Sequence, residues 1–375
     1  MFVGTLIGPE SPIGLPAPYW FVVVFKVLGF TLHALFMNLW FAGIILAMVM
    51  ASRHRPHART LAKRLMTQMP IIIGLGVNLG IVPLLFTQVA YYRAFYPATI
   101  LMAWPWLAII GMLTVAYYAV YLYASGLRRD TLTPFKRAAG WLAGGLFLAI
   151  GFIFANGMSL MANVGAWPEL WQKASFGGAA TGLALNTADP TLVPRWLMMF
   201  GLALTTVAAW VVFDAAFFAG RESDDYARWA PRFAFKLATA GLVWFALTGS
   251  WYVFGTWQPD IRHRMFTGLL LVLTAMTMMA PGLPWLLILF QIRRVTRPLA
   301  LLTAVGQIGV LGINAVSRQI VQNAELAPYL KPADEPVRMQ WSPMFVFLVL
   351  FVAAIALVIW MLTKAAQAAR SPAAE

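Results

Sequence analysis

Long apolar runs separated by short polar segments set the pattern of this chain. Nine runs read as membrane-crossing helices: residues 19–51, 69–92, 99–125, 138–162, 194–219, 233–257, 265–291, 298–322 and 343–364. Each is long enough to cross a hydrocarbon core ~30 Å thick, which takes ~20 helical residues. Backbone groups in lipid must be satisfied within the segment, so the pattern predicts an all-α bundle with nine transmembrane helices. Residues 1–375 read as a single transmembrane domain, and no internal repeat stands out, which counts against an inverted-repeat transporter. Two connections are substantial, about 163–193 and 323–342.

Composition agrees with this reading. The chain is 61% hydrophobic and 11% charged, where a soluble domain carries about 25% charged residues. There is no cysteine, which excludes disulfides, iron–sulfur clusters, thiolate metal sites and covalently attached haem c. Residues 1–18 show no basic stretch and no cleavage pattern, so no signal peptide is expected.

The net charge of +14 does not point to nucleic acid, because the basic residues sit in short segments between spans. They cluster after spans one, three, five and seven, at Arg53–Arg64, Arg128–Arg137, Arg221–Lys236 and Arg293–Arg297. With Lys364 and Arg370 these clusters hold 18 of the 27 basic residues. The positive-inside rule then places the N-terminus in the periplasm and the C-terminus in the cytoplasm of a bacterial inner membrane. Trp and Tyr mark the outer boundary at Tyr19, Trp20, Tyr91, Tyr92, Trp167, Trp171, Trp257 and Trp341.

Polar residues inside lipid are few, which makes each informative. His33 is the one histidine of four that the bilayer encloses; it suits a haem-ligand or proton-handling role, or a plain hydrogen bond to a neighbouring helix. Lys26 lies two turns away on the same face, with snorkelling to the outer interface as its expected fate. Asp214 is expected to pair with an arginine from the basic segments. Asn78 and Gln88 share span two. Asn156 and Asn163 close span four, and Gln307, Asn314, Arg318 and Gln319 follow one another in span eight. Hydrogen bonds between helices account for most such amides. His54 and His57 fall in a basic segment as solvated residues, and His263 sits at the mouth of span seven. No span holds two histidines at helical spacing. The stretch Gly177-Gly178-Ala179-Ala180-Thr181-Gly182 lacks a P-loop lysine and opens no helix, so it is no phosphate cradle.

Several of these segments, taken in order, resemble subunit I of cytochrome bd quinol oxidases. His33-Ala34-Leu35-Phe36 with Leu39, Gly43 and Met48 is similar to that family's first span. Gly76-Val77-Asn78 and Gln88 resemble its second. Ala155-Asn156-Gly157-Met158 with Asn163-Val164-Gly165-Ala166 resembles a family segment after span four, and Ser317-Arg318-Gln319 a Gly-Arg-Gln motif after span eight. The resemblance implies that His33 would ligate a haem b. Met198, Met199 and Met265 stand near the positions of a second haem's ligands, and Lys26, Asn78, Gln88, Asn156, Arg318 and Gln319 would line a quinone or polar path. The departures are equally specific. Ile110 and Tyr118 stand where the family has carboxylates, Arg195-Trp196-Leu197-Met198-Met199 replaces the segment carrying a haem histidine, and the quinol loop between spans six and seven shrinks to about 258–264.

The expectation is a non-oxidase relative: an integral subunit of a respiratory or electron-transfer complex. It would contact quinone or hold at most one haem through His33, without reducing oxygen by itself. Its partners would be other membrane or periplasmic redox subunits, a c-type cytochrome among them, docked at Trp167, Trp171 and Tyr329. A cofactor-free anchor or assembly subunit is one alternative, and a small-solute or ion transporter using Lys26, His33 and Asp214 is the other.

Overall fold

The computed structural model describes residues 6–53, 55–220 and 222–370. His54 and Arg221 lie outside the described residues, as do the side chains of 365–370, Arg370 included. The main helices are α1 (Tyr19–Ala51), α2 (Pro56–Ala90), α3 (Tyr92–Leu101), α4 (Ala103–Arg128), α5 (Pro134–Ala162), α6 (Trp167–Lys173) and α7 (Leu192–Phe217). They continue with α8 (Asp224–Ser250), α9 (Pro259–Met265), α10 (Gly268–Met279), α11 (Gly282–Leu289), α12 (Arg297–Leu326) and α13 (Trp341–Arg370). Among the described residues nine helical stretches are long and apolar enough to cross a membrane, as the hydrophobic pattern predicts.

Three boundaries differ from the sequence reading. α2 begins at Pro56, not 69, so Arg59, Lys63 and Arg64 lie on the helix and not in a loop. α8 likewise begins at Asp224, capped by the Ser223 hydroxyl on the Tyr226 amide, which puts Arg228, Arg232 and Lys236 on helix. Amphipathic first turns look polar in a hydropathy reading, yet they are helical. The seventh span is broken at Ala280–Pro281 into α10 and α11, because Pro281 has no N–H to continue the ladder. Gln291 then donates to the Leu287 carbonyl and the Thr303 hydroxyl, tying the end of α11 to α12.

α1 is the central helix. It packs on α2, α5, α7 and α12, and its second half from Leu39 to Met50 is almost wholly buried in the largest core cluster. Small residues set the closest crossing, as between membrane helices generally. A Cβ on Gly241 would lie 2.9 Å from the Gly201 carbonyl oxygen, so α7 and α8 touch backbone to backbone. The Thr206 hydroxyl joins three helices, accepting from Asn38 of α1 and Gln307 of α12.

The link 163–193 contains α6 and a two-stranded hairpin, Ser175–Phe176 with Ala179–Ala180. Gly177 and Gly178 form its turn, both at positive φ, where glycine alone is unstrained. The link 323–342 is also held from within the chain. Leu15 donates to the Pro336 carbonyl, Arg338 and Gln340 donate back to Leu15 and Pro16, and Arg93 pairs with Glu335 at 2.7 Å. Trp167 is buried, its indole N–H on the Leu160 carbonyl at 2.8 Å. Trp167 therefore serves as a core residue and not as a partner anchor, and these segments do not lack packing surface within the chain. Trp171 stays exposed and Phe176 is 85% exposed.

Candidate functional site

At the end of the bundle opposite the basic clusters, α1, α7, α8, α10 and α12 enclose a cavity of about 160 Å3. Helical spacing builds each wall. α7 presents Arg195, Met198, Met199 and Leu202, and α1 presents Phe30, Ala34, Met37 and Asn38. α12 presents Leu311, Asn314, Ser317, Arg318 and Val321 on one face. α8 ends in a π-helical stretch, Trp251–Thr256, which turns Tyr252 and Val253 inward; such stretches concentrate at functional sites.

Most of this lining is apolar, and its charged groups are two arginines. Arg318 has no acceptor among the described residues, and its guanidinium lies 4.7 Å from the Phe30 ring centre. Arg195 donates to Glu325 at 2.8 Å and to the Thr191 hydroxyl at 3.0 Å, and lies over the Tyr252 ring. Its Nε and the indole nitrogen of Trp257 are buried without an acceptor. Glu325 is thus bonded to Arg195, and Arg318 has no carboxylate within hydrogen-bonding distance among the described residues. An ion in this setting costs several kcal/mol if uncompensated. The arrangement suits an apolar ligand carrying acceptor oxygens.

A second polar cluster lies nearby on α1 and α12. Lys26 is buried, 9% exposed, and donates to Gln319 at 2.7 Å and Gln322 at 3.2 Å. Gln319 donates to the Tyr91 hydroxyl and to Asn323, and Tyr19, Tyr91 and Asn323 bond to one another. Lys26 also sits over the Tyr91 ring at 4.4 Å. The expected snorkelling is corrected: the ammonium turns inward because amides on α12 and an aromatic face at the end of α2 receive it.

The remaining candidates disperse. His33 places Nδ1 2.8 Å from the Gly76 carbonyl, edge-on to Trp40. A Cβ on Gly80 would come within 2.8 Å of the ring, so α2 presses directly on it. If Nδ1 carries the proton, Nε2 is left as a possible ligand atom, but His33 is not among the residues lining the cavity. Met198 and Met199 are; Met265 is buried among Tyr252, Val253, Trp257 and Val321 beside it. The structure therefore does not bring His33 and the methionines to one centre, and the cavity lining contains no histidine. The residues present do not assemble a haem pocket there. Asn78 is exposed and bonds to the Gly74 carbonyl of its own helix. Gln88 lines neither cavity described here. Asn156 is buried and accepts from the Asn186 amide, ordering the link into α7. Ile110 and Tyr118 are each 67% exposed on the outside of α4.

Sequence reasoning missed Arg195 and Glu325 as an ion pair, and it assigned Asn314 to helix packing. Their signal was available: ionisable residues at membrane depth are functional candidates by default. Asp214 does pair as expected, with Arg64 at 2.9 Å, though this arginine belongs to α2 and also bonds Glu222.

No protein-family model matches the sequence, and no curated protein matches it significantly. Among solved structures the chain is similar to the bd oxidase from Geobacillus thermodenitrificans, with a TM-score of 0.58 and 14% identity over 93% of this chain and 99% of that one. At that identity the likeness shows the fold alone. The chain is a multi-pass helical membrane protein with the architecture of a bd oxidase chain.

Proposed function

We propose that this chain is the quinone-contacting membrane subunit of a respiratory electron-transfer complex, with the quinone head group received in the cavity at Arg318. The observation that supports this most is a guanidinium without a hydrogen-bonded counter-ion on the wall of a mostly apolar cavity. Arginine stays protonated under all relevant conditions, so Arg318 acts as a fixed donor and not as an acid. It would donate to a ring oxygen and stabilise the negative charge that develops there on reduction. Asn314 and Ser317, on the same face of α12, would orient the ring. Met198, Met199 and Phe245 would hold the isoprenoid side and exclude water. Glu325, bonded to Arg195, is a titratable group next to the lining and would take up or release the proton.

In this reading the N-terminus faces the periplasm, since the basic clusters mark the opposite side. Partners are further redox subunits in the membrane or periplasm, a c-type cytochrome among the candidates. The exposed Trp171 and Phe176 on the 163–193 link suit such a contact, as aromatics often anchor interfaces.

The test is Arg318→Met, with binding of a short-chain quinone measured on the purified protein. A charge-assisted hydrogen bond is worth ~1.5–3 kcal/mol, so affinity should fall by roughly 10- to 100-fold. The melting temperature should hold or rise, because the substitution removes a half-buried charge that has no hydrogen-bonded counter-ion. An unchanged quinone affinity would refute the assignment.

A further inference from the structure

At the basic end of the bundle a second cavity, about 250 Å3, opens between the α1–α2 link and the first half of α8. Arg53 and Arg55 line it from one side and Arg232 and Lys236 from the other, over Trp229 and Phe233. Trp229 stacks on Phe233 with ring centres 4.8 Å apart and an angle of 12°, and His57 stacks on Trp229. The floor is therefore a rigid aromatic surface and the rim is four cations.

Those four side chains have no carboxylate partner among the described residues. Their neighbours on the same two helices do. Arg59 and Lys63 share Asp130, Arg64 holds Asp214 and Glu222, and Arg228 holds Asp225. Arg128 and Arg129 at the same end also have no carboxylate partner among the described residues, so what sets the four apart is that they converge, unpaired, on one cavity. A topological excess of positive charge calls for basic residues at this end. It does not call for four of them, from two separate segments, to converge on one hollow against their mutual repulsion. The first two follow directly on the end of the α1 span, at the level of lipid headgroups. Basic pockets between membrane helices at this level bind anionic headgroups, and Arg and Lys with an interfacial Trp provide both the charge and the apolar contact.

We propose that this cavity is a binding site for a phosphate group, presented by the headgroup of an anionic phospholipid or by a free phosphate ion. It is separate from the cavity at Arg318, and neither reading depends on the other. The full chain, purified in detergent, is melted with phosphatidylglycerol, with phosphatidylcholine and with inorganic phosphate. Three proteins are compared: the wild type, Arg53→Gln/Arg232→Gln, and the charge-matched control Arg128→Gln/Arg129→Gln. A saturating ligand should raise the wild-type melting temperature by about 5 °C. The control should keep that rise and the cavity variant should lose it. A rise with phosphatidylglycerol alone assigns the site to lipid, and a rise with both anions assigns it to phosphate in general. If the double variant does not fold, Lys236→Gln is used, with at least half of the rise expected to disappear. No anion response in the wild type, an equal response to phosphatidylcholine, or equal loss in the control and the cavity variant would overturn the proposal.

Discussion

Arg64 and Asp214 show what a well-paired ion costs to break. Asp214 is buried and accepts from Nε and NH2 of Arg64 and from Gln68. Asp214→Asn would leave Glu222 as the guanidinium's one carboxylate partner and put an amide N–H where Asp214 has a second acceptor. Removing one partner of a buried pair costs roughly 3–5 kcal/mol, so we expect a large fall in melting temperature, checked by thermal denaturation of the purified variant. Arg318 is the opposite case, since it has no partner to lose. The pairing of Asp214 was legible in the sequence because a carboxylate near a basic cluster has few alternatives. The inward turn of Lys26 was not: its acceptors Gln319 and Gln322 are 293 and 296 residues away, and no local pattern announces a contact of that range. Arg318 entered through a short motif resemblance, and its lack of a counter-ion became visible only once α1, α7 and α12 were assembled around it.

At the scale of elements, membrane helices were the easiest feature to read, because span length is imposed by bilayer thickness. Their ends were harder. The first turns of α2 and α8 are basic and amphipathic, and the seventh span hides a break at Pro281 within an apolar run. The α4–α5 turn supplies a pH-dependent contact. Asp130, at φ 53°, sits in the left-handed region and takes hydrogen bonds from Lys63 and Arg59 of α2. The bond from Lys63, with the charges of both cations, holds its carboxyl below the usual carboxylate range. A depressed carboxylate stabilises the folded state above its unfolded pKa of about 3.9 and loses that contribution as pH falls through the lower folded value. Asparagine tolerates the left-handed conformation. Asp130→Asn should therefore lower the melting temperature slightly at pH 7, as expected of an exposed pair, and the gap should close as pH falls through the lowered folded value. A gap that persists in acid would mean that backbone strain, not charge, sets the effect.

At the scale of the whole molecule, the likeness to a bd oxidase chain covers nearly the full length at low identity, so what the two chains share is the helical fold. The proposed role as a quinone-contacting subunit requires further subunits to complete an electron path. Mild detergent extraction followed by native mass spectrometry should give this chain with at least one stoichiometric companion, and a monodisperse single-chain particle would count against the complex. The Trp341–Met361 span packs on α1 and α2 through Phe347 and Phe351 but has no buried residue among those described, so it adds lipid- or partner-facing area to that particle. Lys26 also has a meaning for how the protein is made. Its partner Gln319 is translated 293 residues later, which at ~5–20 residues per second is an interval of ~15–60 s. The polar contacts that fix the buried end of α1 are thus long-range in time as well as in sequence: both acceptors of Lys26 belong to α12, and neither exists until most of the chain has been made.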